Sequence, residues 1–265
     1  MRSLADLISL ENRTAIVTGG LGHLGLAATE TLLELGATVV VTTTQKTAKK
    51  RATVARGLLK EFGESRVIVK DLDFTSSNSF LKFSNEIKGL PSIAILINNA
   101  IHQEKVSTNL AYDEFESSLN GVLWSTLRCS QLVFPLMKRE AKGSIINISS
   151  MYGLQSPDWR LYTDNNFNIP PTYTIAKAGI IQLTKYLASY WGRYGIRVNS
   201  ISPGPFPKEN VARDKKFGER LKSKTMLDKL GNPEDLKGLF ALLSSDASGF
   251  ITGENFVVDG GWTSW

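Results

Sequence analysis

The chain has 265 residues, of which 42% are hydrophobic and 21% charged, enough to bury a sizeable core without disulfide or metal staples. The single cysteine, Cys129, excludes an internal disulfide, and no stretch approaches the roughly 18 consecutive apolar residues of a membrane-spanning helix. The net charge of +6 is spread along the chain apart from one concentration at 208–224, so neither a nucleic-acid nor a membrane partner is expected. Met1–Asn12 lacks the apolar run of a secretion signal, so the expected location is the cytoplasm.

Apolar β-rich runs alternate with helical patterns. Thr14–Thr18 leads into a cluster of glycines, and Leu24–Leu35 reads as the helix after it. Thr38–Thr42 and a basic helix through Lys60 follow, then Arg66–Lys70 with a helix at Ser76–Ile87. Ile93–Ile97 precedes Tyr112–Arg139, which holds one long helix or two. Ser144–Ile148, a helix over Thr172–Trp191, Arg197–Ile201 and Asn255–Val258 complete the series. Strands this apolar are covered on both faces, and helices between them imply right-handed crossovers. The expected fold is α/β: a single Rossmann-type domain over 1–265, with a doubly wound parallel sheet and helices on both faces.

Three local patterns carry chemistry. Gly19, Gly22 and Gly25 lie between the first strand and the first long helix, with His23 and Leu24 among them. Glycines there let the backbone approach a pyrophosphate, which rests on the free N–H groups of the helix N-terminus. At the end of the second strand Thr43, Thr44 and Lys46 stand where an acid would select NAD, so NADP is the expected cofactor. Tyr173 and Lys177 are four residues apart in a helical segment, hence on one face. An ammonium beside a phenol lowers the phenol pKa and fits it for proton transfer.

With these motifs in order, the sequence resembles the short-chain dehydrogenase/reductase family along essentially its whole length. Asn98-Asn99-Ala100, Asn147-Ile-Ser-Ser150, Pro203-Gly204, Asp71-Leu72, Gly231-Asn-Pro-Glu-Asp235 and Val258-Asp-Gly-Gly261 each match a family element on the corresponding segment. The resemblance implies that Tyr173 exchanges a proton with the substrate oxygen, which Ser150 hydrogen-bonds. It implies that Lys177 binds the nicotinamide ribose, and that Asn120 holds a water linking Lys177 to solvent. It further implies cofactor contacts from Asp71, Leu72, Asn99, Ala100, Pro203 and Gly204, no metal, and a homo-oligomer, a tetramer or a dimer.

The chain also departs from that pattern. His23 replaces a glycine of the single-domain branch, and the Gly19, Gly22, Gly25 spacing resembles the extended branch of nucleotide-sugar epimerases and dehydratases. Ala94 and Ile101 replace a common Asp and Gly. Ser150 and Tyr173 are 173 − 150 = 23 positions apart, about ten more than usual for the family. The added segment, near 156–172, carries Trp159, Tyr162 and Phe167 beside Asp158, Asp164, Asn165, Asn166 and Asn168. That mixture suits a sugar ring, or else a loop packed on a neighbouring subunit. The lid position, 205–230, holds Lys208, Arg213, Lys215, Lys216, Arg220, Lys222 and Lys224 against Glu209, Asp214 and Glu219, a net 7 − 3 = +4. Such a lid either recruits an anionic substrate or presents a solvated helix face. The insertion, the Ser202-Pro-Gly-Pro205 turn and the Gly261-Trp262 ending resemble a subgroup associated with surface-sugar and flagellin-glycan biosynthesis.

The expected activity is hydride transfer between a nicotinamide and a small sugar-like hydroxyl or keto substrate, with or without a negative charge. A nucleotide-sugar dehydratase or epimerase with tightly bound NAD, and a non-catalytic dinucleotide sensor, are the alternatives.

Overall fold

Seven strands form one parallel sheet in the order β3-β2-β1-β4-β5-β6-β7. In chain order they are β1 (Thr14–Val17), β2 (Thr38–Thr43), β3 (Val67–Asp71), β4 (Ile93–Asn98), β5 (Gly143–Ile148), β6 (Ile196–Pro203) and β7 (Asn255–Val258). The structure is a computed structural model that describes residues 1–90, 92–101, 109–163, 167–208, 211 and 214–265, without the side chains of Gln45 and Lys46. The α-helices ahead of β6 are α1 (Leu4–Ile8), α2 (His23–Glu34), α3 (Gln45–Phe62), α4 (Ser77–Lys88), α5 (Tyr112–Leu119), α6 (Ser125–Arg139) and α7 (Pro171–Trp191). Helices at Lys215–Lys222 and Lys237–Ser244 follow β6.

In the central strands β1, β2, β4, β5 and β6 nearly every side chain is buried, because successive residues feed different cores. Ala15, Val17, Val39, Val41, Ile95, Ile97, Ile146 and Ile148 pack under Leu32, Leu33, Leu58 and Phe240. Their neighbours Ile16, Val40, Leu96 and Ile145 face Phe83, Ile87, Val133, Met137, Leu187 and Trp191 on the opposite side. This two-sided burial explains the unbroken apolar runs in the sequence. The helical pattern over Tyr112–Arg139 resolves into α5 and α6 joined by a π turn, Asn120–Trp124. The short helix α1 and the helix Lys237–Ser244 were not among the expected elements.

The order reverses between β1 and β4, since β1 continues outward through β2 and β4 through β5. Loops leaving these two strands diverge to opposite faces, and the crevice opens between them at the carboxyl ends. A third apolar cluster, with Met151, Tyr152, Leu161, Phe217, Leu221 and Trp262 at its centre, gathers the 151–162 segment, the helix Lys215–Lys222 and the C-terminal end.

Candidate active site

The crevice is a cleft of about 500 Å³ bordered by the β1–α2 glycine loop. Gly19 has φ +62°, and a Cβ on it would meet the Ala100 Cβ at 2.9 Å. A Cβ on Gly25 would stand 2.4 Å from the Gly19 carbonyl, so Gly25 is a close-packing position beneath the loop, outside the cleft lining. Thr18 Oγ1 accepts the amides of Asn99 and Ala100 at 2.9 and 3.0 Å, while Asn99 Nδ2 donates to the Thr18 and Gly19 carbonyls at 3.0 and 3.3 Å. The Asn-Asn-Ala element therefore fixes the loop in the shape that opens the α2 N-terminus to the cleft. His23 lines that cleft, and its Nε2 is buried without a hydrogen-bond partner. Burial and the Lys208 ammonium lower the His23 pKa, while the Phe206 backbone opposes them. Such a cradle fits a dinucleotide pyrophosphate.

Thr43, Thr44 and Leu72, the residues read as the adenosine side, border the far end of the cleft. The side chain of Lys46 lies outside the described residues. Two residues missed in the sequence join this end: Thr47, whose hydroxyl bonds those of Thr43 and Thr44 at 3.1 and 2.9 Å, and Arg51. They stand one turn apart on α3, a spacing that would have found them. The Arg51 guanidinium lies 3.4 Å from where a side chain on Gly22 would begin. Asp71 differs from expectation. It pairs in register with Thr43 at the end of β3, lies outside the cleft lining, and has a buried Oδ1 without a partner. Its neighbours Leu72, Asp73 and Phe74 border the cleft instead.

The reacting end is built on buried amides. Asn98 Nδ2 donates to Asn147 Oδ1 at 2.8 Å, and Asn147 Nδ2 donates to Thr184 Oγ1 at 2.9 Å, tying β4, β5 and α7 together. Ser149 Oγ donates to the Lys177 carbonyl at 2.7 Å, and Lys177 Nζ donates to the Ile148 carbonyl at 2.7 Å. Gly153 is required there, because a Cβ would sit 2.7 Å from the Lys177 carbonyl carbon. Ser150, Tyr173, Lys177, Pro203 and Gly204 all border the cleft, and Lys177 Nζ lies 5.6 Å from the Tyr173 ring centroid.

Burial dominates both titrating groups. It raises the Tyr173 hydroxyl above its ordinary value, with the neighbouring Ser150 hydroxyl pulling the other way. It pushes Lys177 down to about 7. The expected lowering of Tyr173 by Lys177 is thus outweighed by desolvation of the phenolate.

Asn120 starts the π turn. Its side chain is exposed and outside the cleft lining, its carbonyl accepts the Ser125 amide, and Ser118, Gly121 and Val122 around it are buried. The polar side chain that α5 buries is Ser118.

A second cavity, of about 370 Å³, begins at Ser150 and Tyr173 and is walled by Tyr152, Tyr162, Phe167, Asn168, Phe206 and Phe217. The insertion supplies Tyr162, Phe167 and Asn168, and Tyr162 bonds Tyr152 through their hydroxyls at 2.7 Å. Trp159 is exposed, and Asp164, Asn165 and Asn166 lie outside the described residues. Asp158 does not face the cavity. It binds Arg160 at 2.8 Å and Lys224 at 2.7 Å, clamping the insertion to the lid segment. The lid bases do not converge on the cavity either. Lys215 and Lys216 are exposed, Lys222 approaches Glu219 and Asp228 at 3.8 and 3.7 Å, and Glu209 and Arg213 lie outside the described residues. The exception is Lys208, which faces the cofactor cleft. Among the described residues there is no cluster of three or more metal-binding side chains, and no helix is long and apolar enough to cross a membrane.

Known proteins agree with this geometry. Residues 22–263 match a family model described as enoyl-(acyl carrier protein) reductase. An uncharacterised oxidoreductase of Bacillus subtilis is 34% identical over 264 residues, covering 95% of this chain and 91% of the relative. A sorbose reductase of Candida albicans is 32% identical, covering 98% and 90%. A gluconate 5-dehydrogenase of Burkholderia cenocepacia, solved with NADP and tartrate, superposes with a TM-score of 0.84 at 27% identity, covering 99% and 100%. The chain belongs to the short-chain dehydrogenase/reductase family of NAD(P)-dependent oxidoreductases.

Proposed function

We propose that the protein is an NADP(H)-dependent carbonyl reductase or alcohol dehydrogenase acting on a small sugar-like substrate. The observation that carries the reading is that Ser150 and Tyr173 border both the dinucleotide cleft and the aromatic cavity, so one substrate oxygen can meet both hydroxyls. Pro203 and Gly204 would hold the nicotinamide, which when bound would supply or accept the hydride. Tyr173 gives its proton to the carbonyl oxygen during reduction and takes it back during oxidation. Ser150 donates a hydrogen bond to that oxygen, and Lys177 offers its charge to the phenolate that remains. Positioning between the two cavities and this proton transfer are the chain's own contributions.

NADP is favoured over NAD by Thr43, Thr44 and Thr47, which offer hydroxyls, and by Arg51, which offers a positive charge at the adenosine end. The sugar-like substrate is supported by the aromatic walls beside Asn168 and by the printed activities of the sorbose and gluconate enzymes. A negative charge on that substrate gains no support from Lys215 and Lys216, which are exposed, or from Lys222, which lies near two carboxylates. A homo-oligomer, a tetramer, in the cytoplasm completes the reading. Its support is the exposed apolar side chains Tyr112, Trp124, Tyr186 and Tyr190 on α5–α7 and Phe250, Val257 and Trp265 near the C-terminus. Trp262, in the same stretch, is buried and takes no part in that surface.

Absorbance at the reduced nicotinamide band tests the activity with NADPH or NADH and a panel of keto-sugars. Stoichiometric loss of NADPH is expected. Product formation with no net cofactor turnover would point to the epimerase alternative, and cofactor binding without turnover of any ketone to the sensor.

A further inference from the structure

The dinucleotide cleft and the aromatic cavity both open at the carboxyl ends of the strands. A further cavity, of about 410 Å³, lies at the opposite edge of the sheet, where β5 and β6 begin. Gly143, Ser144, Ile196 and Arg197 border it, paired in register as Gly143 with Ile196 and Ser144 with Arg197. Ser149 and Ser150 stand beyond the far end of β5, so at about 3.3 Å per residue roughly 20 Å of chain separates this cavity from the reacting groups.

Four cations meet there. Arg2, Arg13, Lys142 and Arg197 line the cavity, and among the described residues Asp246 is the one carboxylate on its wall, a net 4 − 1 = +3. Asp246 binds Arg2 and Arg13 at 2.9 Å and Lys142 at 3.0 Å, so three bases share a single counter-charge. Arg197 is held differently. Its Nη2 donates to the Leu243 and Ser245 carbonyls at 3.0 Å, at the end of the helix Lys237–Ser244, while its Nη1 is buried with no hydrogen-bond partner among the described residues. Ser244, 1% exposed on the same wall, has an Oγ that is likewise unpartnered. Burial lowers the Arg197 pKa to about 10, with Asp246 opposing the fall and Arg13 adding to it. A guanidinium in this position costs free energy that a nearby anion recovers.

We propose that this cavity binds a phosphoryl group, free or carried by a small molecule, at a site separate from both cofactor and substrate. A phosphate monoester carries close to two negative charges at neutral pH, which brings the wall near +1, whereas a single carboxylate leaves two charges uncompensated. Guanidinium groups match its oxygens in pairs, and Lys142 adds a point charge. The Arg2 and Lys142 side chains are 59% and 56% exposed, so both are free to turn from Asp246 toward the ligand. The volume falls within the roughly 300–1,000 Å³ of small-molecule sites, which leaves space for a carbon skeleton beside the phosphate.

Isothermal titration with inorganic phosphate and with glycerol 3-phosphate, at fixed ionic strength balanced by chloride, tests the site. Binding by the wild type is expected, with a rise in melting temperature as the anion is added. Ala94 borders the cavity, and Ala94→Asp gives the wall a second carboxylate; it is expected to weaken binding by about tenfold or more. The double variant Arg2→Gln, Lys142→Gln alters only these two exposed side chains and is expected to weaken binding on the order of tenfold, so it decides the matter if Ala94→Asp melts well below the wild type. Tighter binding of glycerol 3-phosphate would identify a phosphorylated metabolite as the ligand, and equal binding of the two would identify free phosphate. A wild type that binds neither anion would overturn the assignment. So would binding that the folded variants retain in full, which would place the anion elsewhere, the dinucleotide cleft included.

Discussion

Lys177 Nζ donates to the Ile148 carbonyl at 2.7 Å from a side chain only 3% exposed. Its neighbourhood holds the Tyr173 ring and the Ser149 hydroxyl, which bonds the Lys177 carbonyl, and burial alone accounts for the fall of its pKa to about 7. A lysine so placed is costly to keep charged, and the cost has a sign that can be measured. Between pH 7 and the ordinary value of 10.5 the unfolded chain binds the Lys177 proton and the folded chain does not. Stability therefore rises with pH across that window, by roughly 1.4 kcal/mol per pH step of one while the two states differ by that proton. Below the window this group adds no slope.

Lys177→Met should accordingly abolish turnover and yet melt higher than the wild type at pH 6 to 7, with the advantage shrinking toward pH 10. Thermal denaturation of both proteins across pH checks this. A variant that melts lower at every pH would mean that the bond to Ile148 outweighs desolvation, and that Lys177 is a net structural asset.

Tyr173→Phe should reduce kcat by roughly 10²–10⁴-fold while leaving the dissociation constant of NADPH within about twofold, since the ring still packs and only the proton is lost. Single-turnover absorbance and fluorescence titration supply the two numbers. Near-normal kcat would remove Tyr173 from the proton transfer, and Tyr152, whose hydroxyl bonds Tyr162 in the same cavity, would become the next candidate.

These two residues show what the sequence exposes well. The pairing of Tyr173 with Lys177 follows from helical periodicity, and the strands followed from apolar runs with little ambiguity, because both faces of the sheet are covered. The glycine loop was legible for the same reason: Gly19 needs its positive φ, and Gly25 lies too close to the Gly19 carbonyl for any side chain. The exposure of Asn120 was not legible, because the π turn that it starts alters the helical phase and a motif match carries no phase. Arg51 and Lys208 went unrecognised among many cations, since only the fold brings α3 and the segment after β6 to one cleft. The choice between an anion-recruiting lid and a solvated helix face was not legible either, because charge counts do not show which bases already face carboxylates.

The cofactor preference is open to direct reversal. Thr43→Asp places a carboxylate where β2 ends, in reach of a ribose hydroxyl but also of a 2′-phosphate. Near a surface, unit charges about 4 Å apart interact by roughly 4 kcal/mol before screening. A shift toward NADH of one to two powers of ten is expected, about 1.4–2.8 kcal/mol. Fluorescence titration of both cofactors on wild type and variant measures it. A wild type that already prefers NADH would sink the assignment, leaving Thr43, Thr44 and Thr47 as turn residues bonded only to one another.

Asp158 offers a test of the insertion itself. Its carboxylate takes two bonds from the Arg160 guanidinium, one from the Arg160 amide and one from Lys224, and these hold its pKa far below the ordinary carboxylate range. The pairs are too exposed to matter much for global stability. Their position matters more. Asp158 precedes Tyr162, Phe167 and Asn168 in the chain, and Lys224 follows the helix that carries Phe217, so the clamp sets the spacing between two walls of the aromatic cavity. Asp158→Asn should therefore leave the melting temperature within a few degrees and the NADPH dissociation constant unchanged. The KM of whichever ketone the enzyme reduces should rise several-fold, with kcat little altered. Lys224→Gln should act in the same direction, and the double variant should cost less than the sum of the two, because the second change removes a contact already broken. Added salt should raise the wild-type KM toward that of the variants while leaving theirs nearly constant. If the two single variants prove additive, or if KM does not respond to either, the insertion is held by its apolar contacts with Phe217 and Leu221, and the clamp plays no part in shaping the cavity.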